Sequence, residues 1–195
     1  MITAILLAAG QSKRLKGENK LTKLFKGKPL INHILFSLIK SKVNKIIIVL
    51  GFEHLKIKTK LLKSKKINFV INKNYKKGMS SSIKTGLKKL PKNSQGFLIV
   101  LGDMPNITKT TINKICLSIT RSDKEIILPK FKNRIGNPIG FKHSMIKNIY
   151  KIKGDRGAKN IIKKNNKKIK FLNINSKSIL RSEEHTSELQ SRETI

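Results

Sequence analysis

Two kinds of residue in this chain are placed to do chemistry: cations in a glycine-containing loop, and a scarce acid just past an apolar run. In residues 5–28, ILLAAGQSKRLKGENKLTKLFKGK, an apolar run ends at Leu7-Ala8-Ala9-Gly10. A loop carrying Ser12, Lys13, Arg14, Gly17 and Lys20 follows. Gly10 and Gly17 permit close backbone approach or positive φ, and amides together with Arg14 and Lys20 can face several phosphate oxygens at once. Asp103 stands in Leu101-Gly102-Asp103-Met104-Pro105, directly after the apolar run FLIVL. A carboxylate there suits Mg²⁺, a hard ion that bridges one or two carboxylates to substrate phosphates. Taken alone, Asp103 equally suits a strand terminator or a cap for the helix beginning near Thr108. A third stretch, residues 72–86, reads NKNYKKGMSSSIKTG, and its Gly78-Met79-Ser80-Ser81-Ser82 opens a helix. The serines there either cap the helix or border free amides that bind an anion or a polar base.

The elements that must carry these residues alternate. Strands are expected at 3–7, 45–50, 67–71, 97–101, 126–128 and 169–172. Helices are expected at 30–39, 55–62, 80–90 and 107–119, the second with Leu55, Ile57, Leu61 and Leu62 as its apolar set. Such β-then-α order predicts an α/β fold in which a mainly parallel sheet is covered on both faces. Ligands in that architecture sit beyond the carboxyl ends of the strands, where all three stretches lie.

Composition narrows the function classes. A chain of 195 residues with 38% hydrophobic content supports one packed domain and excludes disorder. No run has the length of a membrane span, and Met1 leads straight into a strand, so no secretory signal is expected and a cytoplasmic setting is. The single cysteine, Cys116, lies at helical spacing among Ile112, Ile115 and Ile119 and reads as core. His33, His54 and His143 show no zinc-ligand spacing, and Gly78-Met79-Ser80 lacks the G-x-S-x-G elbow of serine hydrolases. Neither G-x-x-x-x-G-K-[ST] nor G-x-G-x-x-G occurs.

The last fifteen residues, RSEEHTSELQSRETI, break the composition, and Arg181 to Ser191 read as translated sequencing adapter, so 181–195 is expected to be a non-native tail on a domain spanning 1–180. Removing the tail's net −2 from the chain's +34 leaves +36 on residues 1–180, with six acids: Glu18, Glu53, Asp103, Asp123, Glu125 and Asp155. That charge predicts non-specific polyanion binding. The lysines are spread over every segment with few aromatics between them, so no specific nucleic-acid partner is expected.

The three stretches together resemble the MobA-like NTP transferase family. Leu7, Ala8, Ala9, Gly10, Ser12, Arg14, Gly17 and Lys20 match its signature loop, although Leu15 stands where Met is usual and Lys16 adds a residue before Gly17. Asn72, Gly78, Ser80, Ser82 and Gly86 match a segment that lies against the nucleotide base in that family, and Leu101–Pro105 matches its metal-binding segment. Gly136-Asn137-Pro138 resembles its acceptor-side segment, with Asn137 where His is commoner. Gly154-Asp155-Arg156-Gly157-Ala158-Lys159 resembles a further motif whose Asp155 either contacts the metal or caps a helix. The resemblance implies a three-layer, Rossmann-like doubly wound α/β fold of the nucleotide-diphospho-sugar transferase type. It implies a cytoplasmic, Mg²⁺-dependent nucleotidyltransferase that uses an NTP and a phosphate-bearing acceptor and has a molybdoenzyme or maturation factor as partner. Arg14, Lys20 and Asp103 would be its catalytic residues. Ala8-Ala9-Gly10, the form of relatives that transfer CMP to molybdopterin, favours CTP, since the Ala9 methyl narrows the space beside the base. Transfer of AMP or CMP to a sugar or alditol phosphate is the second reading, and a non-catalytic nucleotide or polyanion binder the third.

Overall fold

The computed structural model describes residues 1–11, 19–152, 154 and 159–180. Its strands are β1 (Ile2–Ala8), β2 (Leu24–Phe25), β3 (Lys28–Pro29), β4 (Lys45–Leu50), β5 (Ile67–Ile71), β6 (Gly96–Leu101), β7 (Ile126–Phe131), β8 (Arg134–Ile135), β9 (Ile139–Lys142) and β10 (Ile169–Asn173). Its helices are α1 (Leu30–Ile39), α2 (His54–Thr59), α3 (Met79–Leu87), α4 (Lys109–Arg121), α5 (Ile146–Tyr150) and α6 (Lys159–Lys164). Residues 12–18, 153, 155–158 and the tail 181–195 lie outside the described residues, and with them the expectations for Ser12, Arg14 and Asp155 and for a non-native tail.

The main sheet runs β10-β7-β9-β6-β1-β4-β5, with β8 folded back on β7. β1 pairs in parallel with β4 and β6, β4 with β5, and β7 with β10. β9 lies antiparallel between β6 and β7. Strand alternation sorts the core into two layers, since successive side chains point to opposite faces. Ala4, Leu6 and Ala8 of β1 join Ile31, Ile34, Leu35 and Leu38 of α1, Ile57 of α2 and Ile112, Ile115 and Ile119 of α4. Ile5 and Ala9 join Ile83 and Leu87 of α3, Ile149 of α5 and Ile161 of α6 on the other face. Helices therefore cover both faces of a mainly parallel sheet, as expected. β4 is apolar without alternation because both its faces are buried.

Several expected bounds change. α2 stops at Thr59, and Leu55 is 69% exposed while Ile57 is fully buried. Residues two apart lie on opposite sides of a helix, so those two leucine and isoleucine side chains cannot share a face. β7 runs through Pro129 to Phe131 rather than ending at Leu128. The proline is tolerated because β9 pairs with β7 only at Ile126 and Ile127, so no ladder bond needs a Pro129 N–H on that side. The short β9 was not expected at all. Gly140 makes room for it: a Cβ there would stand 2.8 Å from Ile115 Cγ2 of α4. No helix among the described residues is long and apolar enough to cross a membrane.

Candidate active site

The carboxyl ends of β1, β4, β5 and β6 lie along one edge, because these strands are parallel and in register from Leu7 to Leu50, Ile71 and Leu101. β1 is at the centre of that group. Its Leu7 carbonyl accepts from Gly102 N at 3.0 Å, and its Ala9 carbonyl accepts from Phe52 N at 3.4 Å. Gly102 is required by the first contact: a Cβ there would meet the Leu7 oxygen at 2.9 Å and Leu21 Cδ2 at 3.3 Å. Asp103, the next residue, is thereby held half-buried beside the loop that β1 delivers.

Lys20 is carried by a short turn, Lys20–Thr22, whose Leu21 is buried against Gly102. The fully buried Asn19 organises the turn, its Oδ1 accepting from Leu21 N at 3.1 Å while its carbonyl accepts from Thr22 N and Oγ1. Asn19 Nδ2 is buried with no hydrogen-bond partner among the described residues. Lys20 and Asp103 thus flank the same packed residues at the ends of β1 and β6. The capping alternative for Asp103 falls away, because Thr108 caps α4 with Oγ1 accepting from Thr111 N at 3.2 Å.

After β5, Asn72 is 2% exposed and ties its loop to α3. Its Nδ2 donates to Ser81 Oγ at 2.8 Å and Ser82 Oγ at 3.0 Å, and its Oδ1 accepts from Asn74 N at 3.0 Å. Ser81 Oγ also reaches the carbonyls of Asn74 and Gly78. The hydroxyl groups of Ser81 and Ser82 therefore clamp the loop, and neither caps α3. The helix starts at Gly78, at φ 90° and ψ −178°, a conformation essentially restricted to glycine, and has no side-chain cap. Ser80 is buried in its first turn. Gly86 lets α3 press on β1, since a Cβ there would lie 2.4 Å from Ile5 Cγ2.

Gly136, Asn137 and Pro138 come to the same edge from the other side. Ile139 at the start of antiparallel β9 pairs with Ile99 of β6, so the preceding loop emerges beside the segment carrying Asp103. Gly136 N donates to Pro129 O and Asn137 N to Ile179 O, both at 2.8 Å, and the Asn137–Pro138 peptide is cis. Leu7, Ala8, Ala9, Gly10, Lys20, Asn72, Gly78, Ser80, Ser82, Asp103 and Gly136–Pro138 are thus all distributed along one edge of the sheet.

The turn after β4 was missed by sequence reasoning. Gly51 is wedged between the loops after β1 and β5: a Cβ there would stand 2.7 Å from Ala9 Cβ and 2.8 Å from Tyr75 Cβ. A signal existed, because IIIVL ends in Gly51 just as FLIVL ends in Gly102. Glu53 follows with φ 49°, its Oε1 3.5 Å from Lys56 Nζ and its buried Oε2 without a hydrogen-bond partner.

Other candidates are structural. Burial pushes the Cys116 thiol up to about 12, so it is an inert thiol in the core. His33 holds Phe25 O at 2.7 Å and meets the Phe25 ring edge-on. Among the described residues no three His, Cys, Asp or Glu side chains gather into a metal-binding group. The Asp103 carboxylate offers oxygen ligation outside any such group, which fits a hard divalent ion shared with phosphates rather than a closed structural site.

The model of the MobA-like NTP transferase domain matches residues 4–169. The chain belongs to this family. It is 23% identical over 169 residues to the purine catabolism protein PucB of Bacillus subtilis, covering 83% of this chain and 80% of that one. A 2-C-methyl-D-erythritol 4-phosphate cytidylyltransferase of Lachnoclostridium phytofermentans is 34% identical over 119 residues, 58% of this chain and 50% of its own length. A probable molybdenum cofactor guanylyltransferase of Thermococcus sibiricus is 30% identical over 136 residues, 69% and 65% of the two chains. The match spans half of the erythritol-phosphate enzyme and just under two thirds of the guanylyltransferase. The fold is shared with a nucleotidyl transferase of Methanothermobacter thermautotrophicus, at TM-score 0.80 and 16% identity over 99% of this chain and 96% of that one. It is shared also with Rv0371c of Mycobacterium tuberculosis H37Rv, solved in complex with manganese, at TM-score 0.78 and 17% identity over 100% and 99%. As a MobA-like NTP transferase the chain is an enzyme of the nucleotidyltransferase class.

Proposed function

We infer that this MobA-like transferase moves CMP from CTP onto the phosphate of molybdopterin, with release of pyrophosphate. The observation that carries the reading is the placement of Lys20, Asp103 and Gly136–Pro138 along the edge at which β1 and β6 end. That arrangement supports a nucleotide on one side of Asp103 and an acceptor on the other. Ala9 supports cytosine, since its methyl group, packed at Gly51, takes space that a glycine would leave to a purine.

In this reading the amides of the β1 loop and Lys20 hold the triphosphate and neutralise it, with Arg14 as their expected companion. Asp103 would hold Mg²⁺, with Asp155 as a second expected contact, and the ion would supply charge to offset that of the phosphates. An acceptor oxygen attacks the α-phosphorus in line, the bond to the β-phosphate bridging oxygen breaks, and that oxygen leaves with its electron pair on pyrophosphate. A phosphate monoester is already anionic near neutral pH, so the chain needs no general base. Its residues contribute alignment and charge stabilisation. Gly136, Asn137 and Pro138 shape the acceptor side. Likeness to the erythritol-phosphate cytidylyltransferase supports a second reading, CMP transfer to an alditol phosphate.

The test is pyrophosphate release with each of the four NTPs, using molybdopterin and an alditol phosphate as acceptors and Mg²⁺ present or chelated. CTP with molybdopterin is the expected productive pair. Turnover by Asp103→Ala and Lys20→Ala proteins close to that of the parent would sink the assignment.

A further inference from the structure

The loops after β1 and β5, which the proposed function assigns to the nucleotide, do not come from neighbouring strands. β4 lies between them, and its carboxyl-end turn is the floor they share. Two half-buried aromatic rings stand there: Phe52, the residue after Gly51, and Tyr75 in the turn that follows Asn72. Their centroids are 6.3 Å apart and their planes tilted by 56°. Both rings are tethered to the residue placed beside the base. Phe52 N donates to Ala9 O, and a Cβ on Gly51 would touch Ala9 Cβ and Tyr75 Cβ alike.

The pairing of two half-buried rings at this place sets them apart from the core aromatics. Phe97 and Phe141, stacked at 5.5 Å, are fully buried in the core. Phe52 and Tyr75 are instead half-buried, and unlike the more exposed Phe36, Phe69 and Phe171 they stand together as a pair at the strand-end edge. A tilted pair of partly exposed rings offers aromatic surface with which a planar heteroaromatic group can stack. We propose that Phe52 and Tyr75 form an aromatic platform on which the nucleobase of the NTP stacks, with Gly51 as the residue that brings the platform against Ala9. The proposal rests on the nucleotide reading above and adds to it two binding residues outside the signature loop. Stacking is indifferent to which edge of the base carries amine or carbonyl, so the platform supplies affinity and Ala9 supplies selectivity.

The chain has no tryptophan and two tyrosines, so a Tyr150→Phe protein reports on Tyr75 alone. CTP is expected to quench its emission, after correction for nucleotide absorbance. Inorganic tripolyphosphate, which has the phosphates without the base, is expected to leave it unchanged. Tyr75→Ala and Phe52→Ala should each raise the nucleotide KM about tenfold with kcat and acceptor KM nearly unmoved, the pattern of a lost contact made equally in ground and transition states. Phe52→Leu, which fills the volume without a ring, should behave like Phe52→Ala, whereas Tyr75→Phe should restore the parental KM. Equal quenching by tripolyphosphate, an unchanged nucleotide KM in Tyr75→Ala, or a rise confined to the acceptor KM would overturn the platform. Absence of turnover by the parent with every NTP would instead remove the transferase reading, and the quench titration would still decide the platform by itself.

Discussion

The two halves of the sheet are built by different rules. From β6 through β1 and β4 to β5 every pairing is parallel, and two of the four strand ends carry a glycine that lets neighbouring loops touch: Gly51 after β4 and Gly102 after β6. From β9 to β10 the sheet includes antiparallel β9 and the β7–β8 hairpin, and its edge loop is secured by the chain's last described turn, Lys177–Ile179. The first half repeats one device, and the proposed function gives it the triphosphate. The second is assembled from unlike pieces, and the proposed function gives it the acceptor.

The largest effect is expected at the junction of the halves. Asp103→Ala should lower kcat by about 10²–10³ with little change in the thermal midpoint, on the scale of losing one preorganised electrostatic partner. Rate and melting measured on the same preparation check it. Gly86→Val acts on the first half's packing, placing a branched side chain where even a Cβ meets Ile5 Cγ2 at 2.4 Å. A loss of about 1–3 kcal/mol in urea unfolding is expected. Gly136→Ala acts on the second half, because its Cβ meets Ile179 O at 2.5 Å. A several-fold rise in acceptor KM with the NTP KM unchanged would show that the halves bind separately; a joint rise would show that they do not.

The smallest effect belongs to Glu125 at the amino end of β7. Lys168 first, then Ser144, hydrogen-bond its carboxylate and hold it below the usual carboxylate range. A carboxyl depressed in the folded state stabilises above its unfolded pKa and loses that contribution as pH falls through the folded value. Glu125→Gln should therefore flatten the acid limb of the stability curve, within the 0–1 kcal/mol range of a solvent-accessible pair, and leave neutral-pH turnover unchanged. Unfolding midpoints from pH 7 down to pH 3 provide the readout.

Much of the site was legible because its residues are bound to strand ends by short-range chemistry. Gly102-Asp103 follows FLIVL, and Gly78 precedes a run of serines at a helix start. The function of those serines was not legible. Ser81 and Ser82 are used by Asn72, a partner nine and ten residues away, and nothing in a helix-start pattern predicts a clamp from the preceding loop. β9 escaped notice because Ile139-Gly140-Phe141-Lys142 is short and carries a glycine that weakens any strand pattern. That glycine is there for α4, which passes 2.8 Å from where its side chain would begin.

The sequence alone determined the alternation of the main strands and helices and the side-chain chemistry available at 7–20 and 103, since periodicity and residue type are local properties. Tertiary structure alone decided strand order. It put β4 between β1 and β5, and so made Gly51, Phe52 and Tyr75 neighbours of Ala9. Contacts between residues some forty to sixty-five positions apart depend on which strands pair, and pairing is set by how the whole chain packs rather than by any stretch of it.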